Sequence, residues 1–131
     1  MNNHEKHYML WDGIVKKMEY FKDMLGSGLS YINGIAISKI RNEIIKNHPD
    51  LDNFIRCYAC EEAKRLQFEK TYSTGDCTYC PINWEYDNSA KVYNCVSPGA
   101  LYYRLCRGCN IDGAILLATK IRDAEWRDRD E

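Results

Sequence analysis

The hydrophobic positions of the first fifty residues repeat at helical spacing. Between His4 and Leu25 they fall at Trp11, Ile14, Val15, Met18, Phe21 and Leu25, the one-sided stripe of an amphipathic helix. Gly26-Ser27-Gly28 interrupts the stripe with two glycines that tolerate positive φ. A second stripe, Ile32, Ile35, Ala36, Ile40 and Ile44, predicts a helix over about residues 30–47 with Ser30 as its cap. His48-Pro49-Asp50 ends it, because the residue before a proline is pushed out of the helical region. Two helices joined by a short break predict an antiparallel helical hairpin over residues 1–50.

Beyond Leu51 the periodicity weakens. Residues 51–70 read as helical in part, with a helix leaving from Cys60-Glu61-Glu62, whose glutamates suit the positive end of the helix dipole. Residues 71–96 are rich in Thr, Tyr, Gly, Asp and Asn and poor in aliphatics, which predicts irregular chain with a short β-hairpin around 82–86 and 90–93. Ser97-Pro98 starts a short helix that runs to about Leu105 and stops near Gly108. Asp112-Gly113 precedes a last helix with Ala114, Leu117, Ala118, Ile121 and Ala124 on one face, and the charged tail 127–131 follows.

Seven cysteines change this picture. Six form Cys-x-x-Cys pairs: Cys57 with Cys60, Cys77 with Cys80, and Cys106 with Cys109. Two sulfurs three residues apart on a turn can face one ion, and a second pair completes the tetrahedron of thiolates that Zn²⁺ accepts. Sixteen residues separate the first pair from the second, within the usual range of about 15–20 for this pattern. Thr74-Gly75-Asp76 before the second pair and Pro81 after it supply turn chemistry. Cys57, Cys60, Cys77 and Cys80 therefore form the predicted zinc site. Four thiolates close the coordination sphere, so the metal is a structural staple rather than a catalyst.

Cys95, Cys106 and Cys109 are left over. They either line the core or form a second site, three thiolates with an imidazole from His4, His7 or His48. A redox role for Cys106-x-x-Cys109 would need a strand-to-helix junction within a βαβ pattern, which the sequence does not show. The expected fold is mainly α, one domain over 1–131. A helical hairpin (1–50) and carboxyl-terminal helices (97–131) pack around a zinc module (51–96), partly irregular and with a short β-hairpin.

Charge narrows the partners. Eighteen Lys and Arg against nineteen Asp and Glu give a net charge of −1, unlike a broadly basic nucleic-acid binder or an acidic DNA mimic. The chain has no run of about 18 apolar residues and its first residues lack the apolar stretch of a secretion signal. A soluble protein of the cytoplasm, without a membrane partner, is expected. Reduced thiols in that compartment favour metal ligation over disulfides.

Catalytic signatures are missing from the sequence. It contains no phosphate-binding Gly-x-x-x-x-Gly-Lys-[Ser/Thr], and Gly26-x-Gly28 lacks the third glycine of a dinucleotide loop. A zinc deaminase needs His-x-Glu and Pro-Cys-x-x-Cys, whereas here the proline follows Cys80 and no His-x-Glu occurs. His4 and His7 read as exposed polar residues near the amino end. Ten tyrosines and three tryptophans are the other peculiarity. Trp84, Tyr86, Tyr102 and Tyr103 are candidates for a binding surface, since such rings serve interfaces and base stacking, or for a cover over the metal. Tyr102 and Tyr103 point to different faces, so at most one is buried.

The motifs Cys57-Tyr58-Ala59-Cys60-Glu61-Glu62-Ala63, Cys77-Thr78-Tyr79-Cys80-Pro81-Ile82-Asn83-Trp84, Cys95 and Ser97-Pro98 resemble small cysteine-rich, zinc-binding accessory proteins of phages and prophages of Gram-positive bacteria. Trp11 in a first helix and an alanine-rich closing helix extend the likeness, while 26–50 looks like an insertion and Cys106-x-x-Cys109 lies outside the pattern. That group is largely uncharacterised. The resemblance implies a phage accessory protein that binds a host or phage protein, in the host cytoplasm, with inhibition of a host defence system as one such role. A module binding DNA or RNA, or a sponge for a signalling nucleotide, are the alternatives.

Overall fold

The computed structural model describes residues 1–25, 31–51, 58–59, 61–62 and 101–126, and these are mainly helical. In chain order the elements are α1 (Asn3–Leu25), β1 (Tyr31–Ile32), α2 (Gly34–Asn47), α3 (Leu101–Arg107), β2 (Cys109–Asn110) and α4 (Ile111–Arg122). The expected hairpin at 82–86 and 90–93, the Ser97-Pro98 start and the tail 127–131 lie outside the described residues.

Asn2 starts α1 by accepting the Glu5 amide at 2.8 Å, which satisfies one of the orphan donors of the first turn. Its buried stripe runs His7, Leu10, Trp11, Ile14, Val15 and Met18. Leu25, expected on that face, is 55% exposed. Asn33 rather than Ser30 caps α2, its side-chain oxygen accepting from the Ile35 and Ala36 amides. The reason is that Tyr31 and Ile32 are used in a strand: β1 pairs antiparallel with β2 in the register Tyr31↔Asn110 and Ile32↔Cys109. The buried face of α2 is Ile37, Ile40, Ile44 and Ile45, and Ile35, expected on it, is 70% exposed.

α1 and α2 pack against each other antiparallel, Gly13 facing Ile44, with Lys17 bound to Glu43 at 3.3 Å. The principal partner of α1, however, is α4. The two run antiparallel: Lys22 meets Asp112 at 2.6 Å near one end, and Asp12 meets Arg122 at 3.0 Å near the other. α4 begins one residue ahead of Asp112-Gly113, because Asn110 caps it through the Gly113 amide at 2.8 Å. Ile111, Ala114, Ala118 and Ile121 are its buried residues, while Ala124 lies past its end. α3 packs on α4 and α2 through Leu101 and Leu105.

Gly108 separates α3 from β2 with φ of 110°, a left-handed conformation in which a side chain is strained. The reversal it makes brings β2 back against β1.

Candidate functional site

Cys57, Cys60, Cys77, Cys80, Cys95, Trp84 and Tyr86 lie outside the described residues. Their neighbours Tyr58, Ala59, Glu61 and Glu62 are described and helical, within the stretch 51–70 expected to be helical in part. Tyr58 and Ala59 are buried. The Asn3 amide donates to Glu62 at 3.2 Å, and the Lys6 ammonium stands 6.0 Å from the centre of the Tyr58 ring. The chain around the first cysteine pair is thus tied to the first turns of α1.

Cys106 and Cys109 are described, half-buried free thiols. Cys106 sits in the last turn of α3 against Gly34, and Cys109 in β2 beside Gly113. Burial pushes both thiols up, an effect that a hydrogen bond with Tyr102 opposes at Cys106. A reactive thiolate is favoured at the amino end of a helix. Cys106 stands at a carboxyl end, where the dipole opposes negative charge. Both influences keep these thiols protonated when no metal is bound, as a pair of inert core cysteines would be.

The histidines are placed away from this pair. His48 caps the far end of α2, roughly 20 Å along a 14-residue helix from Gly34 and Cys106. His7 is bonded to Ile121, roughly 16 Å along α4 from Asn110 and Cys109. His4 lies a further turn towards the amino end of α1. Of the expected second site, the structure places Cys106 and Cys109 at one end of α4 and the three histidines away from them, while Cys95 lies outside the described residues. Among the described residues no group of three or more His, Cys, Asp or Glu is arranged to hold a metal ion.

His7 is the residue that the sequence misplaces most. Expected at the surface, it is 2% exposed. Its Nε2–H donates to the Ile121 carbonyl at 2.8 Å, and because a carbonyl only accepts, this bond selects the tautomer. Burial lowers its pKa from 6.5 to about 4; the bond to Ile121 opposes the shift and nearby His4 adds to it. Trp126 closes the cluster. Its ring stacks on His4 with centroids 4.6 Å apart and an interplanar angle of 15°, and meets His7 edge-on at 5.4 Å. The only hint in the sequence was one large ring in an otherwise polar terminal stretch.

Tyr102 and Tyr103 are both half-buried. Tyr102 packs edge-on against Trp11 with centroids 6.2 Å apart, which makes it part of the α1–α3 packing. A different set of apolar side chains faces outward: Tyr20, Met24 and Leu25 on the last turns of α1, Tyr31 on β1 and Ile35 on α2. The antiparallel hairpin and the Lys22–Asp112 pair put all five at one end of the molecule. Along the hairpin, a shallow groove of about 440 Å³ runs between α1 and α2, with Lys16, Lys17, Tyr20 and His48 on its rim.

No family model matches the chain, and neither the curated proteins nor the solved structures contain a match. No helix among the described residues is long and apolar enough to cross a membrane.

Proposed function

We propose that this chain is a non-enzymatic, zinc-stabilised binding protein whose partner is a protein of a phage or of its bacterial host. The observation that carries the reading is the set of outward apolar side chains at one end of the hairpin, Tyr20, Met24, Leu25, Tyr31 and Ile35. Exposed apolar groups gathered in one place mark interaction sites more often than scattered ones do. The tyrosines suit such a surface because each joins a flat apolar body to a polar tip.

Zinc enters this reading through the cysteine spacing. Cys57, Cys60, Cys77 and Cys80 offer four thiolates, a donor set that zinc binds as a closed tetrahedral staple. Metal binding would supply folding energy to a segment poor in aliphatic residues. The phage origin and the inhibition of a host defence system rest on the motif resemblance alone.

Native mass spectrometry of the tagged protein recovered from bacterial lysate tests the reading in one spectrum. One zinc and a stoichiometric protein partner, lost when Tyr31 and Ile35 are changed to Ser, is the expected result. A nucleotide or nucleic acid in place of the protein, with binding that weakens steeply with salt, would replace it. A metal-free folded chain would remove the zinc.

A further inference from the structure

We propose that His7, His4 and Trp126 form an acid-released clasp that holds residues 123–126 on the amino end of α1 at neutral pH and frees them in mild acid. The clasp joins the two ends of the described fold. α4 stops at Arg122, and the chain then folds back until Trp126 lies between the two imidazoles, stacked on His4 and edge-on to His7. His7 holds the turn from inside through its bond to the Ile121 carbonyl. That carbonyl belongs to the last turn of α4 and also receives the Asp123 and Ala124 amides. The imidazole therefore touches both the end of the helix and the segment beyond it.

Among the described residues, charge placed on His7 has little to compensate it. On its own helix the neighbouring charges are Glu5, Lys6 and Asp12, and Asp12 is held by Arg122 and Lys16. From α4 and the segment beyond it come Arg122 and Asp123, paired with each other, and exposed Glu125. From the segment at 58–62 come Tyr58, Glu61 and Glu62, the last bonded to Asn3. Among the described residues, the group that acts on His7 through space is His4, one turn away, and it disfavours the charged form of His7. An imidazolium at position 7 is buried, repelled and walled by two indoles. Opening of residues 123–126 is the smallest movement that hydrates it, because it uncovers the ring without separating α1 from α4.

The test follows the indole N–H and the amides of residues 123–126 by NMR in the zinc-loaded 131-residue chain from pH 7.5 to about 3.5, with the His7 ring titration read in the same samples. The expected result is that Trp126 moves to its free-chain position with the same midpoint as His7, while the amides of Ile14 and Ala118 keep their protection. His7→Gln supplies a side-chain N–H that does not titrate in this range, and in it Trp126 should stay docked throughout. Release of Trp126 in His7→Gln at the wild-type midpoint would overturn the clasp, for then thiolate protonation and metal loss would be the cause. So would midpoints for Trp126 and His7 more than about one pH unit apart, which the wild-type protein alone reports. Simultaneous loss of protection at Ile14 and Ala118 would also overturn it, since that is global unfolding.

Discussion

The phenol of Tyr31 lies across Gly108, in the space that any Cβ at position 108 would fill. The hydroxyl donates to the Arg107 carbonyl at 3.3 Å, so the ring is fixed over the turn rather than merely beside it. Two separate penalties await a side chain there, the left-handed backbone and the collision. Gly108→Ala should cost about 2–4 kcal/mol, the sum of backbone strain and overpacking. Adding Tyr31→Ala should recover the steric share and leave the conformational one. Chemical denaturation of both variants measures the split, and equal costs would mean that the ring yields freely.

What the sequence revealed and what it hid divide along physical lines. The stripe Ile14, Val15, Met18 was legible because helical periodicity is local, and so was the stop at Gly108. The strand Tyr31–Ile32 was not, because its partner Cys109–Asn110 is far away in the chain and two residues leave no periodicity to read. That hidden pairing moved the cap from Ser30 to Asn33. His7 was misread for a related reason: its burial depends on Trp126 and Ile121, contacts across the whole chain length.

Asp12 accepts from two cations, Arg122 of α4 at 3.0 Å and Lys16 one turn along α1 at 2.9 Å. The two bonds differ in kind. Lys16 is an exposed helix neighbour whose ion pair solvent largely screens, whereas Arg122 ties two helices together through half-buried groups. Asp12→Asn should destabilise by about 1 kcal/mol, and Lys16→Gln should cost clearly less. The Asp12→Asn penalty should shrink in molar salt, which screens ion pairs. Urea midpoints at low and high salt check this, and a Lys16→Gln cost as large as that of Asp12→Asn would contradict the ranking.

The cysteine pairs should separate in a metal count. The chain around the first pair is tied to the amino end of α1, whereas Cys106 and Cys109 sit at the other end of α4. Under the proposed zinc site, Cys57→Ser or Cys80→Ser should abolish zinc binding and with it much of the cooperative unfolding transition. Changing Cys106 and Cys109 together to Ser should leave one zinc per chain. Elemental analysis with thermal melts reads both results. Loss of the metal from the Cys106/Cys109 variant would assign that pair to the coordination sphere.

His7 also fixes the sign of one pH dependence. In the folded chain its pKa is about 4, below the ordinary 6.5, because burial penalises the cation. Between those values the unfolded chain binds more protons than the folded one, so stability rises with pH across that window. The contribution is fully present above 6.5, falls as the pH drops and is gone below 4. Its upper limit is roughly 3 kcal/mol, and opening of residues 123–126 would relieve part of that before the core unfolds. Protonation of zinc-binding thiolates would weaken the fold in the same direction, so the wild-type slope alone does not isolate His7. The difference between wild type and His7→Gln does, because the thiolates are common to both. Urea titrations at pH 7.5 and 4.5 should show wild type losing about 1–3 kcal/mol more than His7→Gln across that interval. Parallel losses in the two proteins would mean that His7 is not buried as a neutral ring.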